Sequence, residues 1–527
     1  MTPATPTHVT LHGTELLASI APNVSMKIVH VAALHGPITA FLEYLPMALV
    51  RTFNRHPRMR AKMVGGEVAT AQVHGLITLK TVVKDELLTI RECPSEDLGM
   101  EATTTSNTRG IVYTHTAWQD FVERECELPI DRVARFPFYV HVWHDPSQHR
   151  ARVMVFSDHY MSDGTSGLAV LNDLIEFAAT LARGDVITKE DLPFQPSLYD
   201  LWVAPRVAEL QSEIESVSSD ANAIPKPVFQ HLIPLRADQK VITVPVVANS
   251  SSACFGDGAP DNMTAALRRC KQEGVTYFSA LTAAIVTAHY YVTTTTSKKQ
   301  DGHVDDPSES TELTEAPFKL SLDLDCNMRS RVTPPLPTDQ VGAYFTVSDL
   351  GSFASKGVKM DSTRFWDLAR QVKRDLDANL SSPMFPMPIF MIDKRIGSAL
   401  TDPDPSKKTM RSIPSDVNIS NIGKYKYSTT HDVITPGSSD ATNDAELLTI
   451  ESVHVYNSMP QRGPGTIMYV TSLERFHYAM MHKYEHQVGQ DLFAAFVASA
   501  ESIGQVEREA TMLQVVQHLR EALMTLE

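Results

Sequence analysis

Ser157-Asp158-His159-Tyr160-Met161-Ser162-Asp163-Gly164 is the stretch that decides how this chain is read. Before it stands Arg152-Val153-Met154-Val155-Phe156, a β-branched and aromatic run. After it, Leu168, Leu171, Leu174, Ile175, Ala178 and Leu181 recur with helical period. The segment therefore reads as strand, polar turn, long helix, with His-x-x-x-Asp-Gly in the turn. A neutral imidazole at a strand's end, its carbon body packed and one nitrogen exposed, can take a proton from an alcohol, amine or thiol near neutral pH. Asp163 can support that histidine in two ways: it accepts the other imidazole N–H, or it anchors the turn by an ion pair with a distant arginine. Spacing does not choose between them. Gly164 lets the backbone turn closely into the helix, whose first N–H groups can face developing negative charge.

A metal is the competing reading, since His and Asp four apart share a face when both lie on a helix. Here the pair precedes the helix and no third ligand is evident. His141 and His144 lie three apart on a strand and so face opposite sides. No metal is expected.

Upstream, Phe136 to Trp143 forms a hairpin with Arg152 to Phe156 around the turn residues Asp145-Pro146-Ser147. Leu42, Leu45, Leu49, Val50 and Phe53 mark one apolar face of a helix between His35 and Arg55, ending near Pro57. Downstream the alternation repeats: helix Tyr277 to Tyr291, strand Lys319 to Leu324, helix Arg364 to Leu380, strand Val417 to Ser420, then strand, strand and helix from Leu447 to Ile503. Between them, Pro193 to Pro234 is rich in proline, acidic residues and serine, with Pro196, Pro205, Pro225 and Pro227. This predicts an N-terminal lobe over 1–205, a connection over 206–240 and a C-terminal lobe over 241–527, each α/β with a mixed sheet. Thr293 to Ala316 and Ser428 to Glu446 read as surface loops.

At roughly 150 residues per domain, 527 residues suit two elaborated lobes. The apolar share of 43% and charged share of 21% are those of a chain with a large core, which excludes wholesale disorder. Lys and Arg (47) minus Asp and Glu (62) gives −15, a field that repels phosphate backbones and anionic membranes. No nucleic-acid partner is expected. Cys93, Cys126, Cys254, Cys270 and Cys326 lie too far apart for a zinc knuckle or redox dithiol, and read as reduced. The first residues lack a basic region followed by an apolar run, so a cytoplasmic location is expected. Val275 to Ser297 is uncharged and nearly long enough to span a membrane. Ser279, Thr282, Thr287 and His289 interrupt it, so a buried helix is expected instead.

The strand, His159-x-x-x-Asp163-Gly164, helix arrangement resembles the coenzyme A-dependent acyltransferase superfamily with the HxxxDG motif. That superfamily includes condensation domains of peptide synthetases, alcohol acetyltransferases, wax ester synthases and polyketide-associated acyltransferases. Three more segments are similar, in the same order. Arg55-His56-Pro57-Arg58-Met59-Arg60 resembles the RHPxLR segment closing the first helix. Asp325-Cys326-Asn327-Met328-Arg329-Ser330-Arg331, then Val341-Gly342-Ala343-Tyr344-Phe345, resembles an arginine segment followed by a glycine-aromatic strand. Ile419-Ser420-Asn421-Ile422-Gly423 resembles the SNxG signature of the alcohol acetyltransferase and polyketide-associated branch. Two features depart from other branches: Asp158 stands where condensation domains usually carry a first histidine, and no DFGWG segment of the plant branch is present.

The resemblance implies two chloramphenicol-acetyltransferase-like lobes with an active-site tunnel at their junction and His159 as general base. It implies an O-acyltransferase acting on a small-molecule alcohol, with a coenzyme A thioester as co-substrate, or an acyl carrier protein as donor, and no tightly bound cofactor. Asp163 would brace the turn through Arg329, with Arg331 as fallback partner. Ser420 and Asn421 would line the tunnel or donate to the tetrahedral intermediate, or else only end a strand and cap a loop. Trp143, Tyr344 and Phe345 are read as core. The alternatives are amide formation on carrier-bound substrates, as in condensation domains, and a binding protein that has kept the fold without activity. A monomer with no integral membrane segment is expected.

Overall fold

The computed structural model describes residues 7–19, 24–65, 69–99, 116–218, 230, 232–240, 251–300, 316–401, 415–434, 446–461 and 463–524. Among these the strands run in chain order as β1 (His8–Thr10), β2 (Lys27–His35), β3 (Ala61–Val64), β4 (Thr70–Val73), β5 (Leu88–Glu92), β6 (Phe138–Asp145), β7 (Arg150–Asp158), β8 (Ser252–Asp257), β9 (Leu322–Asn327), β10 (Phe345–Asp349), β11 (Val417–Lys424), β12 (Thr430–Val433), β13 (Glu446–Asn457), β14 (Thr466–Ser472) and β15 (Phe476–His482). They form two six-stranded mixed sheets, ordered β12-β13-β2-β7-β6-β5 and β10-β9-β11-β14-β15-β8, beside a small sheet β1-β4-β3.

Every residue of β2 except His35, and of β7 except Arg150, is buried. Strands covered on both faces carry near-continuous apolar runs, which is what these two central strands show. The motif helix Gly164–Ala182 is apolar on most sides and packs along the helix Ile38–Arg55 over the first sheet. A separate core, with Leu198, Val203, Met328, Leu336, Tyr344 and Phe390, joins the segment after the motif helix to the segment carrying Arg329.

Sheet membership does not follow one cut in the chain. β12 and β13 come from the second half yet extend the first sheet, with Thr449 opposite His35 and Asn457 opposite Ile28. The sequence reading of two strands after Leu447 is corrected to three, because β14 and β15 are separate members of the second sheet. Two expected loops also differ. Residues 293–300 continue the helix Tyr277–Gln300, and β12 lies within Ser428 to Glu446. Within that helix the Thr294 and Thr295 hydroxyls donate to the Tyr290 and Tyr291 carbonyls of the preceding turn. Residues 1–6, 301–315 and 435–445, with Pro225 and Pro227, lie outside the described residues. Among the described residues no helix is long and apolar enough to cross a membrane. The five cysteines form no disulfide.

Candidate active site

β7 ends at Asp158, and the turn that follows presents His159 half-buried at the junction of the two large sheets. Its backbone N–H donates to Met26 O at 2.9 Å, fixing the turn to the start of β2. Its Nδ1 lies 2.7 Å from the Ser162 carbonyl. A carbonyl only accepts, so Nδ1 carries the hydrogen and Nε2 is left with its lone pair. The ring stacks on Phe345, with centroids 4.9 Å apart and planes at 24°. Phe345, read as core from sequence, is therefore a half-buried wall against the imidazole, whereas Trp143 and Tyr344 are buried.

Asp163 does not touch that imidazole. It is the N-cap of the motif helix: Oδ1 accepts from Ser166 N and Ser166 Oγ, both at 2.8 Å. Arg329 Nη1 donates to Oδ2 at 2.8 Å, Arg329 Nη2 to Oδ1 at 3.0 Å, and Tyr344 N to Oδ2 at 2.9 Å. Burial alone would push this carboxyl up, but the guanidinium and the Ser166 donors hold it below its ordinary value. Arg329 donates further to the Gln340 and Gly342 carbonyls at 3.0 and 3.1 Å, and its guanidinium lies 5.1 Å from the Tyr344 ring centre. Arg331 donates instead to Leu380 O, at 3.4 Å.

Gly164 sits where β11 bulges. β11 and β14 shift register between Asn421 and Gly423, and a Cβ on Gly164 would lie 2.3 Å from Ile422 Cδ1. The Gly164 carbonyl accepts from His30 Nε2 at 2.7 Å. His30 is fully buried, and burial drives its pKa down to about 4, so it is a neutral structural donor. Gly167 makes room for it: a Cβ there would fall 1.9 Å from His30 Nδ1.

On the second sheet, Phe345 pairs with Asn327 and Val347 with Asp325. Directly opposed residues, and residues two apart on a strand, share a face. Asp325 and Asn327 therefore lie on the face carrying the Phe345 ring that covers His159. Asn418 Nδ2 donates to Asp325 Oδ1 at 3.2 Å, and Ser420 hydrogen-bonds the same carboxyl. Burial pushes the Asp325 carboxyl up against these donors and against the nearby His159. The structure so brings together His159, Asp163, Gly164 and Arg329, and joins Ser420 to them through Asp325. Asn421, next to Ser420 on the strand, points to the opposite side.

The RHPRMR segment fastens this junction. Arg55 donates to Asp173 of the motif helix at 2.8 Å and to Asp339 of the Arg329 segment at 2.5 Å. Arg58 is wholly buried, donates to Glu15 at 2.7 Å and lies 5.4 Å from the Tyr344 ring centre. Sequence reasoning missed His30, Asp325 and Asn418. Asp325 stood inside the quoted arginine segment, so its acidic side chain on an apolar strand was an available signal; His30 gave none.

The sequence matches no family model and no curated protein. Solved structures do match. The trichothecene 15-O-acetyltransferase TRI3 from Fusarium sporotrichioides is similar over 94% of this chain and 95% of its own, at 11% identity and a TM-score of 0.61. The first condensation domain of the calcium-dependent antibiotic synthetase is similar over 97% and 99%, at 11% identity and a TM-score of 0.59. The condensation domain of the Monacolin K polyketide synthase MokA is similar over 96% and 99%, at 12% identity and a TM-score of 0.57. The chain has the fold of condensation domains and of this acetyltransferase over nearly its whole length.

Proposed function

We propose that this chain transfers an acyl group from a coenzyme A thioester to the hydroxyl of a small-molecule acceptor, with His159 as general base. The observation that carries the reading is the tautomer: Nδ1 is committed to the Ser162 carbonyl, so Nε2 offers its lone pair beside the sheet junction. Nε2 takes the acceptor's O–H proton as that oxygen forms a bond to the thioester carbonyl carbon. The tetrahedral oxyanion then collapses, the C–S bond breaks, and the imidazolium returns the proton to the leaving thiolate. No covalent enzyme intermediate and no tightly bound cofactor are needed. Asp163 and Arg329 act indirectly, by holding the Ser162 to Gly164 turn that orients the ring. Asp325 and Ser420 form an acceptor-side face that suits an alcohol with hydrogen-bond donors of its own.

The test is a set of coenzyme A thioesters offered with alcohols and matched amines. His159→Ala is expected to lower turnover by about 10²–10⁴-fold, the usual contribution of a positioned base, with its melting temperature unchanged. Normal turnover in a folded variant removes His159 from the role. Reaction only with acyl groups on a carrier protein, or amide as the main product, replaces this reading with the condensation type.

A further inference from the structure

We propose that Asp257, His454 and His477 form a divalent-cation site of the zinc class that clasps the edge of the second sheet to the first. Asp257 closes β8 and His477 lies directly opposite it on β15, while His454 comes from β13 of the other large sheet. Both imidazoles converge on one carboxylate oxygen. Asp257 Oδ1 is 2.5 Å from His477 Nδ1 and 3.2 Å from His454 Nε2, and the three ligand atoms lie within 4.8 Å of one another.

The two rings are almost wholly buried, at 0% and 3% exposure, whereas Asp257 is 47% exposed. The arrangement thus offers two imidazoles and a carboxylate on the protein side and an open side for water, the donor set of zinc sites with three protein ligands. Two nitrogen donors favour zinc and its transition-metal neighbours over calcium or magnesium, which prefer oxygen. Without a cation His477 Nδ1 meets Asp257 Oδ1 and His454 Nε2 is shared between that oxygen and the Gly256 carbonyl at 3.3 Å, while His454 Nδ1 and His477 Nε2 stay without partners on the far side. A cation takes a lone pair from each facing nitrogen, so the ring protons move to His454 Nδ1 and His477 Nε2 and no N–H is left pointing at Asp257. The 3.2 Å separation suits ligand bonds of about 2.0–2.2 Å, and the 2.5 Å contact between Asp257 and His477 has to open by about 1 Å to admit the ion. Arg152 and Arg475 lie within electrostatic reach and weaken the hold on a cation, and Glu451 opposes Arg152.

No step of acyl transfer is assigned to this cluster. Its place between β13 and the β8/β15 edge makes it a structural clasp, and its failure is separable from that of the His159 reading. The experiment uses the full chain, stripped with a chelator and titrated with zinc while bound metal and melting temperature are followed, and with cobalt(II) for its visible spectrum. One zinc per chain, a rise in melting temperature and cobalt bands of low-coordinate geometry are expected. Asp257→Ala, a half-exposed position that tolerates truncation, should weaken zinc by at least about 100-fold, the upper end of what losing even an outer-shell partner costs. His159→Ala should retain zinc fully. Zinc that binds Asp257→Ala as tightly as the parent chain, or that leaves the parent's melting temperature unmoved in excess, overturns the site.

Discussion

Two carboxylates flank His159, five residues apart, and each is buried against an arginine, yet the surroundings drive them in opposite directions. Asp158 accepts from Arg132 Nε at 2.8 Å and has one further weak donor, Tyr160 N at 3.5 Å. Burial wins there and the carboxyl is pushed up. Asp163 is as deeply buried but collects five donors, two of them from Arg329, and is held down. In both, the guanidinium is the largest counterweight to burial, and the contrast lies in the further hydrogen bonds that Asp163 receives. It also separates their work. Arg132 donates as well to Val24 O, just before β2, whereas Asp163 ties the His159 turn to the segment of Arg329, Gly342 and Tyr344.

The sharpest way to break this contrast is to remove the negative charge from each carboxylate in turn. Asp163→Asn leaves Arg329 buried without its counter-charge and should cost about 3–5 kcal/mol, read as a lower urea midpoint, together with turnover. Asp158→Asn also leaves a buried arginine, Arg132, without its counter-charge but removes fewer hydrogen bonds, so it should cost the lower end of that range, about 3 kcal/mol, with acyl transfer largely kept in the folded fraction. Equal losses in the two variants would dissolve the distinction drawn between them.

Acid titration sharpens it through opposite slopes. Asp163 lies below its ordinary value in the folded chain, so its contribution is present above the unfolded value of about 3.9 and disappears as pH falls through the folded one. The penalty of Asp163→Asn should therefore shrink on acidification. Asp158 is raised, so its ionisation weakens the fold at neutral pH and that burden lifts as pH falls through its folded value. The penalty of Asp158→Asn should grow over the same approach to pH 4. Urea midpoints of parent and variants at stepped pH supply both slopes, and parallel curves contradict the assignment.

The smallest expected effect concerns the glycine that ends the turn. Gly164→Ala places a methyl 2.3 Å from the flexible end of Ile422, an overpacking of about 1–3 kcal/mol. Adding Ile422→Val to make room should restore part of the loss, and a double variant no better than Gly164→Ala would locate the strain elsewhere.

The sequence by itself determined what depends on neighbours along the chain. Strand, turn and helix around His159 follow from a β-rich run, a polar octet and a helical period, all within thirty residues, and the helix from Ile38 to Arg55 follows in the same way. The partnership of Asp163 with Arg329 was named through resemblance alone, since 166 residues separate the two and no periodicity reaches that far. Only the tertiary structure decided the rest. It sent β12 and β13 back into the first sheet, because strand pairing is settled by edges that meet after the lobes form. It turned Phe345 from the core onto the imidazole and gave Ser420 a partner in Asp325. It chose the Nδ1 tautomer of His159 by placing one carbonyl 2.7 Å away. Such choices depend on distances between groups from separate elements, and those distances do not exist until the elements pack.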